Sequence, residues 1–278
     1  MHRYHVDAHP NSCQHGAMNN AIAVSAFRDN YIWLIPLGGS RVVIIDPGDE
    51  RPVLAHLRSH SLTPVAILVT HQCHDHVDGI IALLKQYEMP VYGPATEAIP
   101  GMTHPVREGD TVTIDGHCTL RVLDLPGHTA GHIAYYRPTT PRALFCGDTL
   151  FGAGCGRLHS GLYHEMFHSL QKIAALPDET LIHCAHEYTL ANLNFAAHLE
   201  PDNDDIQARM IQSQAMRAQG LPTIPSRLID EKKTNPFLRC HTPIIAAAAQ
   251  RYAEENRWPQ PHDPLTTFRT IRDWKNHF

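Results

Sequence analysis

Thr70-His71-Gln72-Cys73-His74-Asp75-His76-Val77-Asp78-Gly79 sits between two apolar segments. Val65-Ala66-Ile67-Leu68-Val69 before it reads as a buried strand. Ile80-Ile81-Ala82-Leu83-Leu84-Lys85 after it reads as the apolar face of a helix. Imidazoles, a thiol and a carboxylate are thus concentrated in one turn at the end of a strand. That is the usual place for a binding centre in a layered α/β fold. The bland alternative is an exposed His-rich loop. It draws some support from the 22 histidines of the chain, but not from their density here.

The rest of the chain narrows the class. Its 278 residues are 43% hydrophobic and 18% charged, which describes a soluble globular protein of one large domain or two smaller ones. A net charge of −5 offers no basic field for nucleic acid. No run reaches the ~20 apolar residues of a membrane span. Residues 1–20 lack an apolar signal core, and His2, His5, His9 and His15 there read as part of a polar extension rather than a metal site. The seven cysteines are odd in number and irregularly spaced, so free thiols and a cytoplasmic, reducing compartment are expected.

Along the chain, one pattern recurs: an apolar strand, then a turn holding His or Asp. Strands are expected at 22–27, 31–37 and 41–45, the last ending at Asp46-Pro47-Gly48-Asp49. Asp46 is read either as plain turn chemistry or as support for a metal ligand. A helix is expected at 52–60 and another at 77–87, with a short strand at 91–93 and loop over 94–110. Strands at 111–114 and 118–125 form a hairpin that runs into Pro126-Gly127-His128-Thr129-Ala130-Gly131-His132. Further strands at 133–136, 143–146 and 180–184 lead to Asp148 and to His186-Glu187-Tyr188-Thr189. A helix is expected at 166–176. Beyond 190 only helices are expected, at 192–198, 204–219 and 243–255. The pattern implies sheets faced by helices. It divides the chain into an extension 1–20, a layered domain 21–189 that carries the His and Asp turns, and a helical second domain 190–278.

The turn at 71–76 resembles the His-x-His-x-Asp-His signature of the metallo-β-lactamase fold, with Cys73 where family members carry His. The resemblance implies an αββα sandwich and a dinuclear centre. His71, Cys73 and His128 would hold a first metal, and Asp75, His76 and His186 a second, with Asp148 bridging. Pairing His71 with His74 instead would abandon this register. Zinc suits such donors, with iron or manganese as alternatives. Two metals can lower the pKa of a shared water toward neutrality, which supplies a nucleophile that Asp75 would orient. Cys73 is either a thiolate ligand or the reason the first site is weak. Asp78, where the family has Gly, adds a second departure.

Beyond this signature the chain is similar to the glyoxalase II (hydroxyacylglutathione hydrolase) family from about Ala21 to Phe278. The segments that carry the likeness are Phe151–Arg157, His186–Thr189, Asn235–Arg239 and Asp263–Arg269 with Arg272 and Lys275. The resemblance implies that Arg157, Tyr188, Arg272 and Lys275 bind a glutathione moiety, with His159 where a Tyr is common. Arg272 and Lys275, three apart, would share a helix face at the pocket rim. The implied reaction is hydrolysis of S-(2-hydroxyacyl)glutathione thioesters, S-lactoylglutathione foremost, by a monomer needing no nucleic acid or membrane. Two alternatives are an iron enzyme oxidising glutathione persulfide and a metal-deficient protein that only binds glutathione conjugates.

Overall fold

The apolar runs around the His-rich turn become the middle of a sheet. In the computed structural model, which describes residues 21–278 apart from His117, the first six strands lie side by side in sequence order. They are β1 (Ile22–Ala26), β2 (Asn30–Gly38), β3 (Arg41–Ile45), β4 (Thr63–Leu68), β5 (Val91–Pro94) and β6 (His104–Val106). The first three pair antiparallel and β3 to β6 pair parallel. The expected extension 1–20 lies outside the described residues.

Burial on both faces explains why β3 and β4 carry no polar alternation. Val43, Ile45, Ala66 and Leu68 enter the core between the sheets, while Val42, Ile44 and Ile67 enter a second core outside it. Helix α1 (Glu50–Ser59) closes that outer core with Val53, Leu54 and Leu57. The short α2 (His74–Val77) precedes α3 (Ile80–Leu84), which adds Ile80 and Leu83. Each such side chain contributes ~1.5–3 kcal/mol on burial, so these helices cannot turn away without losing several kcal/mol.

The second sheet starts with β7 (Thr111–Ile114), β8 (Cys118–Asp124), β9 (Ile133–Arg137) and β10 (Ala143–Gly147). A two-stranded ribbon follows, β11 (Leu150–Phe151) with β12 (Gly154–Cys155), then helix α4 (Tyr163–Ala174). β13 (Leu181–Cys184) and β14 (Ser226–Arg227) complete the sheet in the order β14-β13-β10-β9-β8-β7. Leu120, Val122 and Tyr135 share a core with Trp33, Ile35 and Leu68, and α4 joins it through Met166, Leu170 and Ile173. Two facing sheets with helices outside give the expected αββα layering. After β13 come α5 (Thr189–Leu199), α6 (Asp204–Ala218), α7 (Leu228–Thr234), α8 (Pro243–Glu255) and α9 (Pro264–His277). The Asp263 carboxylate accepts the Thr266 N–H and Pro264 occupies the first turn, which sets where α9 begins.

Some local expectations fail. The helix expected over 77–87 breaks at Asp78–Gly79, because the Gly79 N–H donates to Pro47 O at 2.9 Å in the β3–α1 turn rather than within the helix. The expected loop 94–110 contains β6, which pairs with β5. A strand also occurs beyond 190, since β14 pairs with β13. No helix among the described residues is long and apolar enough to cross a membrane.

Candidate metal centre and substrate cleft

The turns after β3, β4, β8, β10 and β13 meet at one end of the sandwich. The two sheets are clasped there, because the Tyr31 N–H donates to Ala185 O at 2.7 Å and the Trp33 indole N–H to Cys184 O at 2.9 Å. Within the first sheet, the turns after β3 and β4 also meet so closely that a Cβ on Gly48 would lie 1.8 Å from Asp75 O. Side chains of residues 71–76, His128, Asp148 and His186 thereby face one another.

The hydrogen bonds orient all four imidazoles alike. Thr70 Oγ1 donates to Asp46 Oδ2 (2.7 Å), which leaves its oxygen to accept from His71 Nδ1 at 3.0 Å. His76 Nδ1 donates to Asp46 Oδ2 (3.0 Å), His128 Nδ1 to Arg157 O (2.7 Å) and His186 Nδ1 to Asp29 Oδ1 (2.8 Å). With Nδ1 carrying the proton, each Nε2 keeps its lone pair for the centre, as outer partners of metal-binding histidines arrange. His71 Nε2, His76 Nε2 and Asp148 Oδ1 are buried and make no hydrogen bond. Buried polar atoms without partners are uncommon and call for an explanation.

The spacings suit a cation. His186 Nε2 and His76 Nε2 lie 3.3 and 3.4 Å from Asp148 Oδ1, and His128 Nε2 lies 3.5 Å from Asp148 Oδ2. Asp75 Oδ2 is 3.4 Å from His186 Nε2. These are long for hydrogen bonds, but two ligands about 2.0–2.1 Å from one tetrahedral cation stand about 3.3–3.4 Å apart. Donor atoms of His71, Cys73 and His128 lie within 4.8 Å of one another, as do those of His71, His76 and Asp148, and those of Asp75, His76 and His186. The residues present therefore fit the divalent metals expected of them.

Electrostatics agree. Burial opposes charge on His186, yet Asp148 and Asp75 more than offset it and lift the imidazole to about 10. Burial likewise opposes charge on Asp75 and Asp148, but the facing histidines hold both carboxyls well below their usual range. A proton and a metal cation compete for these lone pairs, so a site that attracts one attracts the other. Burial first, then Asp148 and Asp75, push the Cys73 thiol up to about 12.

A cleft of about 820 Å³ runs from this cluster to the C-terminal helices. Its walls include Arg157, His159, Tyr188, Arg272 and Lys275. Tyr188 stacks on His186, ring centroids 4.8 Å apart, and His159 meets His128 edge-on at 4.7 Å. Arg157 and His159 are both exposed. Arg272 is no rim cation: it is only 3% exposed, and one guanidinium nitrogen donates to Cys155 O at 2.8 Å. Lys275 Nζ donates to Ala191 O (3.1 Å) beside Phe195 and Phe278. Burial, with Arg272 and Arg157 nearby, lowers this lysine to about 8. His74 and Asp78 pair with each other at 3.1 Å in solvent, away from the donor cluster.

Several supports escaped the sequence reading. Asn30 Nδ2 donates to Asp75 Oδ2 at 2.9 Å. Glu97 accepts from the Gln72 N–H, Thr129 Oγ1 and the Gly131 N–H, tying two donor turns together. His132 stacks on His71 and accepts the Asp148 N–H at 3.1 Å. Only His132, within a His-rich turn, had a local signal.

Known proteins share this fold. ETHE1 from Myxococcus xanthus shares the fold at a TM-score of 0.57 and 23% identity, over 90% of this chain and 100% of that one. TTHA1623, solved in a di-iron-bound form, matches at 0.50 and 32% identity, over 60% of this chain and 91% of that one. The pattern of the metallo-beta-lactamase superfamily matches residues 26–186, which places the chain in a metal-binding class of that fold. The pattern described as hydroxyacylglutathione hydrolase C-terminus matches residues 187–278. The hydroxyacylglutathione hydrolase of Nitrosomonas europaea is 52% identical over 262 residues, covering 94% of this chain and 97% of that protein. The chain belongs to the hydroxyacylglutathione hydrolase family.

Proposed function

We propose that this enzyme hydrolyses S-(2-hydroxyacyl)glutathione thioesters, S-lactoylglutathione foremost, to the hydroxy acid and glutathione. The observation that carries the reading is one cleft with metal-type donors at one end and cations at the other. Its volume is within the ~300–1,000 Å³ of small-molecule sites. His71, Cys73 and His128 would hold a first divalent ion and Asp75, His76 and His186 a second, with Asp148 between them, zinc being the first choice. Bound metal would supply Lewis acidity for the thioester carbonyl and a water of lowered pKa.

The chain's own groups do the positioning. Asn30 fixes the Asp75 carboxylate, which stays ionised and can orient an attacking water. Arg157, Arg272 and Lys275 offer charge to the carboxylates of the tripeptide, and Tyr188 can hydrogen-bond it from its place on His186. We assign 21–189 to the catalytic domain and 190–278 to a helical substrate-binding domain, which supplies α9. Every donor and cation named comes from one chain, so the cleft needs no second copy to be complete, and we propose a monomer. The free thiols of Cys73, Cys118, Cys146, Cys155, Cys184 and Cys240 support a reducing, cytoplasmic setting.

The test compares kcat/KM for lactoylglutathione with that for a lactoyl thioester of a small plain thiol. The glutathione substrate is expected to be much the better, and equal values would refute the reading.

A further inference from the structure

We propose that Cys73 makes the two metal positions chemically unlike, so that the first selects thiophilic divalent ions while the second also accepts hard ones. The inference rests on the metal-centre reading above and deepens it. Cys73 is the one described cysteine that is not buried, so it is no core filler. It precedes α2 as the N-cap residue, yet its side chain makes no capping hydrogen bond. Its Sγ instead lies 3.5 Å from His128 Nε2. A sulfur about 2.3 Å and a nitrogen about 2.05 Å from one tetrahedral cation would stand about 3.6 Å apart. His71, fully buried with Nε2 unpaired, completes the trio.

The neighbouring position has a different donor set. Asp75, His76 and His186 offer two imidazoles and a carboxylate oxygen, with Asp148 Oδ1 within 3.4 Å of His76 Nε2. Thiolate selects ions such as zinc, cadmium and cobalt over manganese or magnesium, whereas imidazole with carboxylate accepts both groups. A chain with His at position 73 would lack that distinction.

The experiment exchanges metals in the full-length protein and in its Cys73→His and Cys73→Ser variants. Cobalt(II) loading is followed by near-ultraviolet absorption, and manganese(II) loading by elemental analysis and electron paramagnetic resonance. The natural chain should bind about two cobalt ions with a sulfur-to-cobalt charge-transfer band, but only about one, magnetically isolated, manganese. Cys73→His should lose the band and take about two manganese ions showing spin coupling. Cys73→Ser, which keeps the side-chain size, should lose the band as well. Two coupled manganese ions in the natural chain, or two cobalt ions without the band, would overturn the proposal. If the band is missing while lactoylglutathione is still hydrolysed, only the selectivity falls. If neither the natural chain nor Cys73→His binds metal or hydrolyses the thioester, the functional reading falls with it.

Discussion

Replacing Asp46 with Asn should disable His76 as a donor while leaving the fold in place. Asp46 Oδ1 accepts the Thr70 backbone N–H at 2.8 Å, and Oδ2 accepts Thr70 Oγ1 at 2.7 Å and His76 Nδ1 at 3.0 Å. A backbone N–H can only donate, so it pins the amide oxygen of the new side chain at the Oδ1 position. The amide NH2 then faces His76 Nδ1. The Thr hydroxyl can rotate to accept from it, but the imidazole must either lose this partner or move its proton to Nε2. Nε2 is the atom aimed at Asp148, and a protonated Nε2 has no lone pair for a cation. Turning the amide round instead sets NH2 against the Thr70 N–H, which leaves a buried donor unsatisfied at about 1–3 kcal/mol. Asn tolerates the left-handed backbone of this position (φ 52°) as well as Asp does. Loss of such an outer partner typically costs 10–100-fold in metal affinity or activity, roughly 1.4–2.7 kcal/mol. The assay is metal content against a graded chelator, with kcat on lactoylglutathione and a thermal melt of each protein. An Asp46→Asn protein that holds its metal as tightly as the natural chain, with unchanged kcat, would refute the tautomer argument.

Other consequences concern the cations and the links between turns. Lys275 sits at about 8 rather than 10.5 through burial and the nearby Arg272 and Arg157, so it loses its proton as pH rises past 8. KM for lactoylglutathione should therefore rise above that pH, and Lys275→Arg, which stays charged, should flatten the profile. The folded chain binds fewer protons than the unfolded one between about 8 and 10.5, so this group's contribution to stability improves as pH rises through that window. Lys275→Ala should raise KM with metal content unchanged, whereas Arg272→Ala should also lower the melting temperature, because its guanidinium is buried on Cys155 O while the Lys275 bond to Ala191 O is open to solvent. Equal melts for the two variants would contradict that difference. Glu97→Ala removes the acceptor shared by Gln72, Thr129 and Gly131 and should cost about 1–3 kcal/mol for each donor left buried, with loss of bound metal. Unchanged chelator resistance would show that the two turns hold without it.

His71, Cys73, Asp75, His76, His128, Asp148 and His186 were legible from the chain because each stands where an apolar run stops. Strand ends can be read from hydrophobic pattern alone, since burying one or both faces of a strand dictates its composition. The layering followed from the same runs. Short elements such as β6, β11, β12 and β14 had too few residues to show a period, and only their partners define them. Apart from Asp46, which closes β3 and accepts from His76, what lies around the donors was equally invisible. Asp29 meets His186, Asn30 meets Asp75, and Glu97 meets Thr129 across 157, 45 and 32 positions of chain. No local propensity encodes contacts at such separations; they exist because the clasped sheets bring those turns together. Arg272 and Lys275 show the same division. Their sequence spacing puts them on one helix face, but only packing of α9 over Cys155 and Ala191 takes these charges out of water and into the cleft wall.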